Sequence, residues 1–110
     1  MNQEEQAFKL ILHGGNARGE AYEAIDLAEE FKFDEAEEKM KAAEAEMKEG
    51  HQYQTEAVRA SDEGVNATFL MIHAQDHLMT ALAEMNMARR FIETNRKMYE
   101  LEQRLGKLES

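Results

Sequence analysis

Apolar and small residues recur along this chain at intervals of three and four, the spacing that lines one face of a helix. Ala7, Leu10, Ile11, Ala17, Ala21, Ile25 and Ala28 follow it and predict a first helix over residues 3–30. Gly14, Gly15 and Gly19 interrupt that helix, each at a cost of about 1 kcal/mol relative to alanine. They mark either a weak point or a place where another backbone comes close. Phe31, Lys32 and Phe33 read as the first turn, and Asp34 followed by Glu37 has the spacing of a capping box that starts a second helix. Ala36, Met40, Ala43, Met47, Gly50, Gln54 and Ala57 form its single narrow stripe. Ser61, Asp62, Glu63 and Gly64 make the second break, and from Val65 the pattern is helical to near Gly106. Short connections make sequential helices antiparallel, so the expected architecture is an up-down-up three-helix bundle in one domain over residues 1–110.

The third helix differs from the other two. At about 100° per residue, Val65, Phe69, Ile72, Asp76, Met79, Ala83 and Met87 gather on one side. Leu70, Met71, Ala74, Leu78, Ala81, Leu82, Met85 and Ile92 gather on the other. A three-helix monomer buries one such face well. The second face calls for a partner, and a homo-oligomer is the first expectation for a small domain; the alternative is a crowded core.

Composition sharpens the class. There is no proline, so no segment is forced out of helix and the fold class is all-α. There is no cysteine, which removes disulfides, thiolate metal sites and cysteine nucleophiles and suits a reducing cytoplasm. The polar, acidic start MNQEEQAF lacks the pattern of a signal peptide, and no apolar run is long enough to cross a bilayer. A net charge of −10 argues against a nucleic-acid partner. A basic protein surface would suit it better.

The chemistry-bearing residues cluster in HAQDH, residues 73 to 77. Asp76 lies within an apolar stripe, where a carboxylate needs a proton, a partner or a cation. His73 and His77 fall on the flank between the two apolar faces, with Thr80 and Glu84 on the same side. Two histidines one turn apart fit three chemistries. They are a zinc pair lacking its third ligand, hydrogen-bonded border residues beside a specificity-setting aspartate, or a nucleophilic imidazole that takes up a phosphoryl group. Gln75 points about 160° away from His73, so it can assist that histidine only from a neighbouring subunit. His13 has no partner pattern and reads as a surface or border residue, and His51 as a packing or hydrogen-bonding residue.

HAQDHLMTA at residues 73 to 81 resembles the signature of the enzyme IIA component of the lactose/cellobiose (N,N′-diacetylchitobiose) family of the bacterial phosphoenolpyruvate-dependent sugar phosphotransferase system. GGNARGEAYEAI at residues 14 to 25, and Glu49, His51, Gln54 and Thr55, are similar to that family's first and second helices. The resemblance spans residues 5 to 85, and the run past Ala83 departs from the aliphatic pattern of the family. It implies a homotrimeric three-helix phosphocarrier. His73 would receive a phosphoryl group from the histidine-containing protein HPr and pass it to a cysteine of enzyme IIB, with Gln75 and His77 in support. Asp76 would hold Mg²⁺ or another divalent cation near the trimer axis, no organic cofactor is implied, and the membrane permease enzyme IIC is a peripheral partner. The other expectation is a non-catalytic helical interaction or regulatory module on the same scaffold. The sugar is not named by this sequence.

Overall fold

The computed structural model describes all residues 1–110, and it contains three helices: α1 (Gln3–Glu29), α2 (Phe33–Asp62) and α3 (Phe69–Glu109). No strand is present, so the expected all-α, antiparallel three-helix bundle is the observed fold. No helix is long and apolar enough to cross a membrane. The molecule is a rod with principal extents of 69 × 17 × 17 Å.

Helix boundaries follow local chemistry that the pattern reading caught only in part. Asn2 caps α1 by accepting from the Glu5 amide at 2.8 Å. At the other end of α1, Lys32 N–H donates to the Leu27 carbonyl at 2.9 Å, which wraps the chain through Phe31 with φ of 63°. That closure is the kind that usually places glycine in the left-handed position. Here a phenylalanine occupies it, with its ring edge-on to Tyr99 at 5.2 Å, and Phe33 meets the same tyrosine at 5.9 Å. Packing of these rings draws Phe33 into α2, so Lys32 is its N-cap and makes no side-chain cap bond. The expected capping box at Asp34 is thus not formed; Asp34 and Glu35 instead sit in the first turn, where their charge favours the helix dipole.

The third helix begins at Phe69 and not at Val65. Gln3 fixes the preceding segment from α1, donating to the Asn66 carbonyl at 3.0 Å and accepting from the Thr68 amide at 2.7 Å. Thr68 then caps α3 by accepting from Met71 N–H at 3.1 Å. The helix runs on to Glu109, beyond the expected end near Gly106.

The core is built on alanine. Ala7, Leu10, Ala17, Ala21, Ala24 and Ala28 of α1 are buried against Ala36, Met40 and Ala43 of α2 and Met71, Ala74, Leu78, Ala81, Met85, Ala88 and Ile92 of α3. Small side chains let the helix axes approach closely, and α1 is the shared element on which both other helices pack. Lys39 of α2 adds an ion-pair clasp to Glu20 and Glu23 of α1, at 3.5 and 2.7 Å. The hydrogen bond to Glu23, then the charge of Glu20, hold its ammonium above the ordinary lysine value. None of the three α1 glycines breaks the helix. Gly14 is the close approach: a Cβ there would lie 3.2 Å from the His77 carbonyl oxygen and 3.4 Å from the Leu78 Cα. Gly15 and Gly19 face open space.

The two-faced reading of α3 holds for the chain. Met71, Ala74, Leu78, Ala81, Met85 and Ile92 are buried, whereas Leu70 is half-buried and Leu82 exposed. On the opposite side Phe69, Ile72, Met79 and Met87 are exposed, with Phe69 at 86%. Nothing within the chain covers that side.

Candidate functional site

His73 and His77 stand one turn apart on the flank of α3 next to α1. His73 is exposed and His77 half-buried. Their Nε2 atoms approach to 3.1 Å, and the rings cross edge to face with centroids 4.6 Å apart. A single proton shared between the two nitrogens makes one imidazole the donor and leaves a lone pair on the other. With His77 donating, the His73 Nε2 lone pair accepts that hydrogen bond, on a side chain that is exposed.

The backbone under this pair is held from α1. Gly14 lets the His77 carbonyl and Leu78 press against α1. One turn further on, Arg18 donates from Nη2 to Thr80 Oγ1, and its Nε lies 2.8 Å from Glu84 Oε2. Thr80 Oγ1 in turn donates to the Asp76 carbonyl, at 2.8 Å, with the His77 carbonyl at 3.2 Å. Arg18 therefore ties α1 to the turn of α3 that follows the histidines. It was not singled out from sequence, although Thr80 and Glu84 were placed on the histidine flank.

Gln75 takes the other flank. It is half-buried, and its Oε1 accepts from Gln54 Nε2 of α2 at 2.6 Å. Gln54 Oε1 lies 3.0 Å from His51 Nδ1, whose residue also accepts from Thr55 Oγ1 through its carbonyl. With His51 Nδ1 as donor, the relay runs His51 to Gln54 to Gln75. It leaves the amide nitrogen of Gln75 free to donate outward. His51 thus has the hydrogen-bonding role expected of it. His13, by contrast, is not a border residue without partners: its Nδ1 lies 2.7 Å from Glu46 Oε2, and its ring stacks on Tyr53 at 5.9 Å.

Asp76 is exposed, on the same side of α3 as Ile72 and Met79. Within one chain its carboxylate is therefore exposed, as are the apolar neighbours of the stripe it shares. The chain contains no group of three or more histidine, cysteine, aspartate or glutamate side chains placed to hold a metal ion. A zinc pair at His73 and His77 has no third protein ligand here. Of the four residues singled out in the motif, the structure brings His73 and His77 together and keeps Gln75 and Asp76 apart from them.

The site is thus a contacting histidine pair on the flank of the third helix of a strand-free bundle. Residues 5–96 match the model of the family described as "PTS system, Lactose/Cellobiose specific IIA subunit". The chain belongs to that family and is a phosphotransferase-system component. It is 43% identical to the lichenan-specific phosphotransferase enzyme IIA component of Bacillus subtilis (strain 168), over 91% of this chain and 94% of that protein. The crystal structure of the PTS cellobiose-specific enzyme IIA from Bacillus anthracis superposes with a TM-score of 0.86 at 38% identity, covering 91% of this chain and 94% of that one. IIA(Chitobiose) in its complex with HPr, from the N,N′-diacetylchitobiose branch of the Escherichia coli phosphotransferase system, superposes with a TM-score of 0.80 at 29% identity, covering 90% and 98%.

Proposed function

We propose that this chain is a cytoplasmic phosphocarrier that accepts a phosphoryl group from phospho-HPr on His73 and passes it to a cysteine of an enzyme IIB during uptake of a lactose/cellobiose-type sugar. Association with the membrane permease enzyme IIC is peripheral and follows from that chain of transfers. The observation that carries this reading is the exposed His73 imidazole, its Nε2 set 3.1 Å from His77 Nε2.

The chemistry is in-line displacement on phosphorus, where placing and neutralising the phosphoryl oxygens matter most. The His73 Nε2 lone pair forms the new N–P bond as the donor's N–P bond breaks and the donor imidazole leaves with the electron pair. His77 Nε2–H, released from His73, donates to a phosphoryl oxygen. In the second transfer the IIB thiolate forms an S–P bond while the His73 N–P bond breaks.

Self-association completes the reading. A homotrimer formed through the exposed face of α3 covers Phe69, Ile72, Met79 and Met87 and brings three Asp76 carboxylates together near the axis. Like charges in that position call for a hard divalent cation such as Mg²⁺, or for shared protons. The axis site is assembled from three chains, so a single chain has no such cluster of its own. Gln75, on the opposite flank from His73, then supports the histidine of a neighbouring subunit.

The test is incubation with phosphoenolpyruvate, enzyme I and HPr. The chain should gain an acid-labile, alkali-stable phosphate, lost in His73→Ala with helical content unchanged and retained, more slowly formed, in His77→Ala. Labelling that survives His73→Ala and disappears in His77→Ala refutes the assignment. A chain that takes up no phosphate at all is a non-catalytic interaction module.

A further inference from the structure

Three side-chain bonds tie α2 to α3. Two are ion pairs, Glu44 with Arg89 at 2.9 Å and Glu37 with Arg96 at 2.7 Å. Their polarity is fixed, because a guanidinium only donates and a carboxylate only accepts. The third joins two half-buried amides, Gln54 and Gln75, at 2.6 Å. An amide carries a donor and an acceptor at the same end, so two amides can pair in either sense. The sense decides what Gln75 shows on its outer side. With its carbonyl turned to Gln54 it offers N–H outward; with its nitrogen turned to Gln54 it offers a carbonyl.

Only the first sense suits a phosphoryl group, whose oxygens accept and would be repelled by a carbonyl. His51 selects it. Its Nδ1 lies 3.0 Å from Gln54 Oε1, and a carbonyl oxygen cannot donate, so the proton of that bond is on the imidazole. Gln54 is left with its amide nitrogen for Gln75 Oε1. Were the proton on His51 Nε2 alone, Nδ1 would be a lone pair, Gln54 would turn its nitrogen toward it, and Gln75 would have to show its carbonyl. Reversal thus needs two amides to turn together and a proton to change nitrogen. The His51 carbonyl also accepts from Thr55 Oγ1 at 3.0 Å, on the same turn of α2.

We infer that Gln54, directed by His51, is a positioning residue for phosphoryl transfer: it fixes the polarity of the Gln75 amide so that a donor, and not an acceptor, meets the phosphoryl oxygens. The inference rests on the support of the phosphorylated histidine by Gln75 proposed above. It adds two residues of α2, which touch neither histidine of the pair, to the machinery of the transfer.

Gln54→Glu tests the polarity, since an ionised carboxylate of the same shape can only accept and turns the Gln75 nitrogen inward. Uptake of phosphate from phospho-HPr should slow about tenfold in Gln75→Leu, the worth of one hydrogen bond to a charged oxygen, and at least as much in Gln54→Glu. In the Gln75→Leu background, Gln54→Glu should add almost nothing, because its effect passes through Gln75. Nuclear magnetic resonance of the unphosphorylated wild type reads the sense without any assay of activity. The Gln54 side-chain nitrogen should couple across the hydrogen bond to the Gln75 carboxamide carbon, and His51 should carry a proton on Nδ1 at neutral pH. Coupling in the opposite direction overturns the inference. So does a Gln54→Glu chain as fast as wild type while Gln75→Leu is slow, which leaves the support by Gln75 standing. Equal slowing by Gln54→Glu with and without Gln75 marks a general effect of charge and overturns it too. Wild-type uptake by Gln75→Leu overturns both this inference and the part assigned to Gln75, and leaves His73 as the acceptor.

Discussion

Gly14 is where α1 packs against the backbone of His77 and Leu78 in α3, and Gly14→Ala separates two opposing effects. Alanine in a helix interior gains about 1 kcal/mol over glycine. At this position, however, the new Cβ meets the His77 carbonyl oxygen at 3.2 Å, its carbon at 3.3 Å and the Leu78 Cα at 3.4 Å. All three are backbone atoms of α3, which cannot rotate away as a side-chain tip can. Relief requires α3 to back off along the alanine seam, and overpacking of this kind costs about 1–3 kcal/mol. Gly15→Ala and Gly19→Ala meet nothing within 4 Å and collect the propensity gain alone. Gly14→Ala should therefore be less stable than either reference by about 1–3 kcal/mol, a melting-temperature gap of about 4 °C or more in a chain of this size. Thermal unfolding at matched concentration measures the gap, and phosphate uptake from phospho-HPr, followed in parallel, should slow as the histidine turn shifts. If Gly14→Ala melts as high as Gly15→Ala and takes up phosphate at the wild-type rate, the close approach does not constrain the site.

Arg18→Met leaves the partly buried Glu84 carboxylate without its cation and frees Thr80, and should cost about 1 kcal/mol in denaturant unfolding, most of it recovered in the Arg18→Met, Glu84→Gln double variant. A double variant no better than the single would show that packing, not charge, carries the loss. Asp76→Leu should give an assembly at least as stable as wild type, no longer sensitive to chelator and still phosphorylated at His73, as sedimentation and melts with and without chelator would report; a trimeric Asp76→Leu chain that cannot be phosphorylated returns Asp76 to the chemistry. Mixing His73→Ala chains with Gln75→Leu chains should restore activity after subunit exchange, and no rescue in demonstrably mixed assemblies rules out a site shared between subunits.

Much of the fold was legible because its three helices are written in one code, small and apolar residues three and four apart. What the code does not carry is tertiary competition. The Asp34 capping box lost because Phe31, Phe33 and Tyr99 pack together across 68 residues of sequence and draw the helix start back to Phe33. Val65, Asn66 and Ala67 are compatible with helix, but Gln3 binds the segment from the first turn of α1 and leaves Thr68 as the cap. Which of three neighbouring glycines meets a backbone depends on the helix it faces, so Gly14, Gly15 and Gly19 looked alike. The histidine pair was visible from its spacing, since residues one turn apart on a helix touch whatever surrounds them. Arg18 and the His13–Glu46 pair were not, because their partners lie 62 and 33 residues away.

The proposed trimer would account for the different side chains on five consecutive residues of α3. A face centred on Asp76 that turns toward a threefold axis sends its two flanks toward two different neighbours. His73 is on one flank and Gln75, held by Gln54, is on the other. In the proposed trimer, the histidine flank of each chain would meet the glutamine flank of the next. An amide about 160° out of reach of its own imidazole would there come within range of the one beside it. In that arrangement, assembly would bring His73 and the Gln75 amide together. Asp76 carboxylates gathered at such an axis would set the electrostatic cost of that assembly, which a cation or shared protons would have to offset.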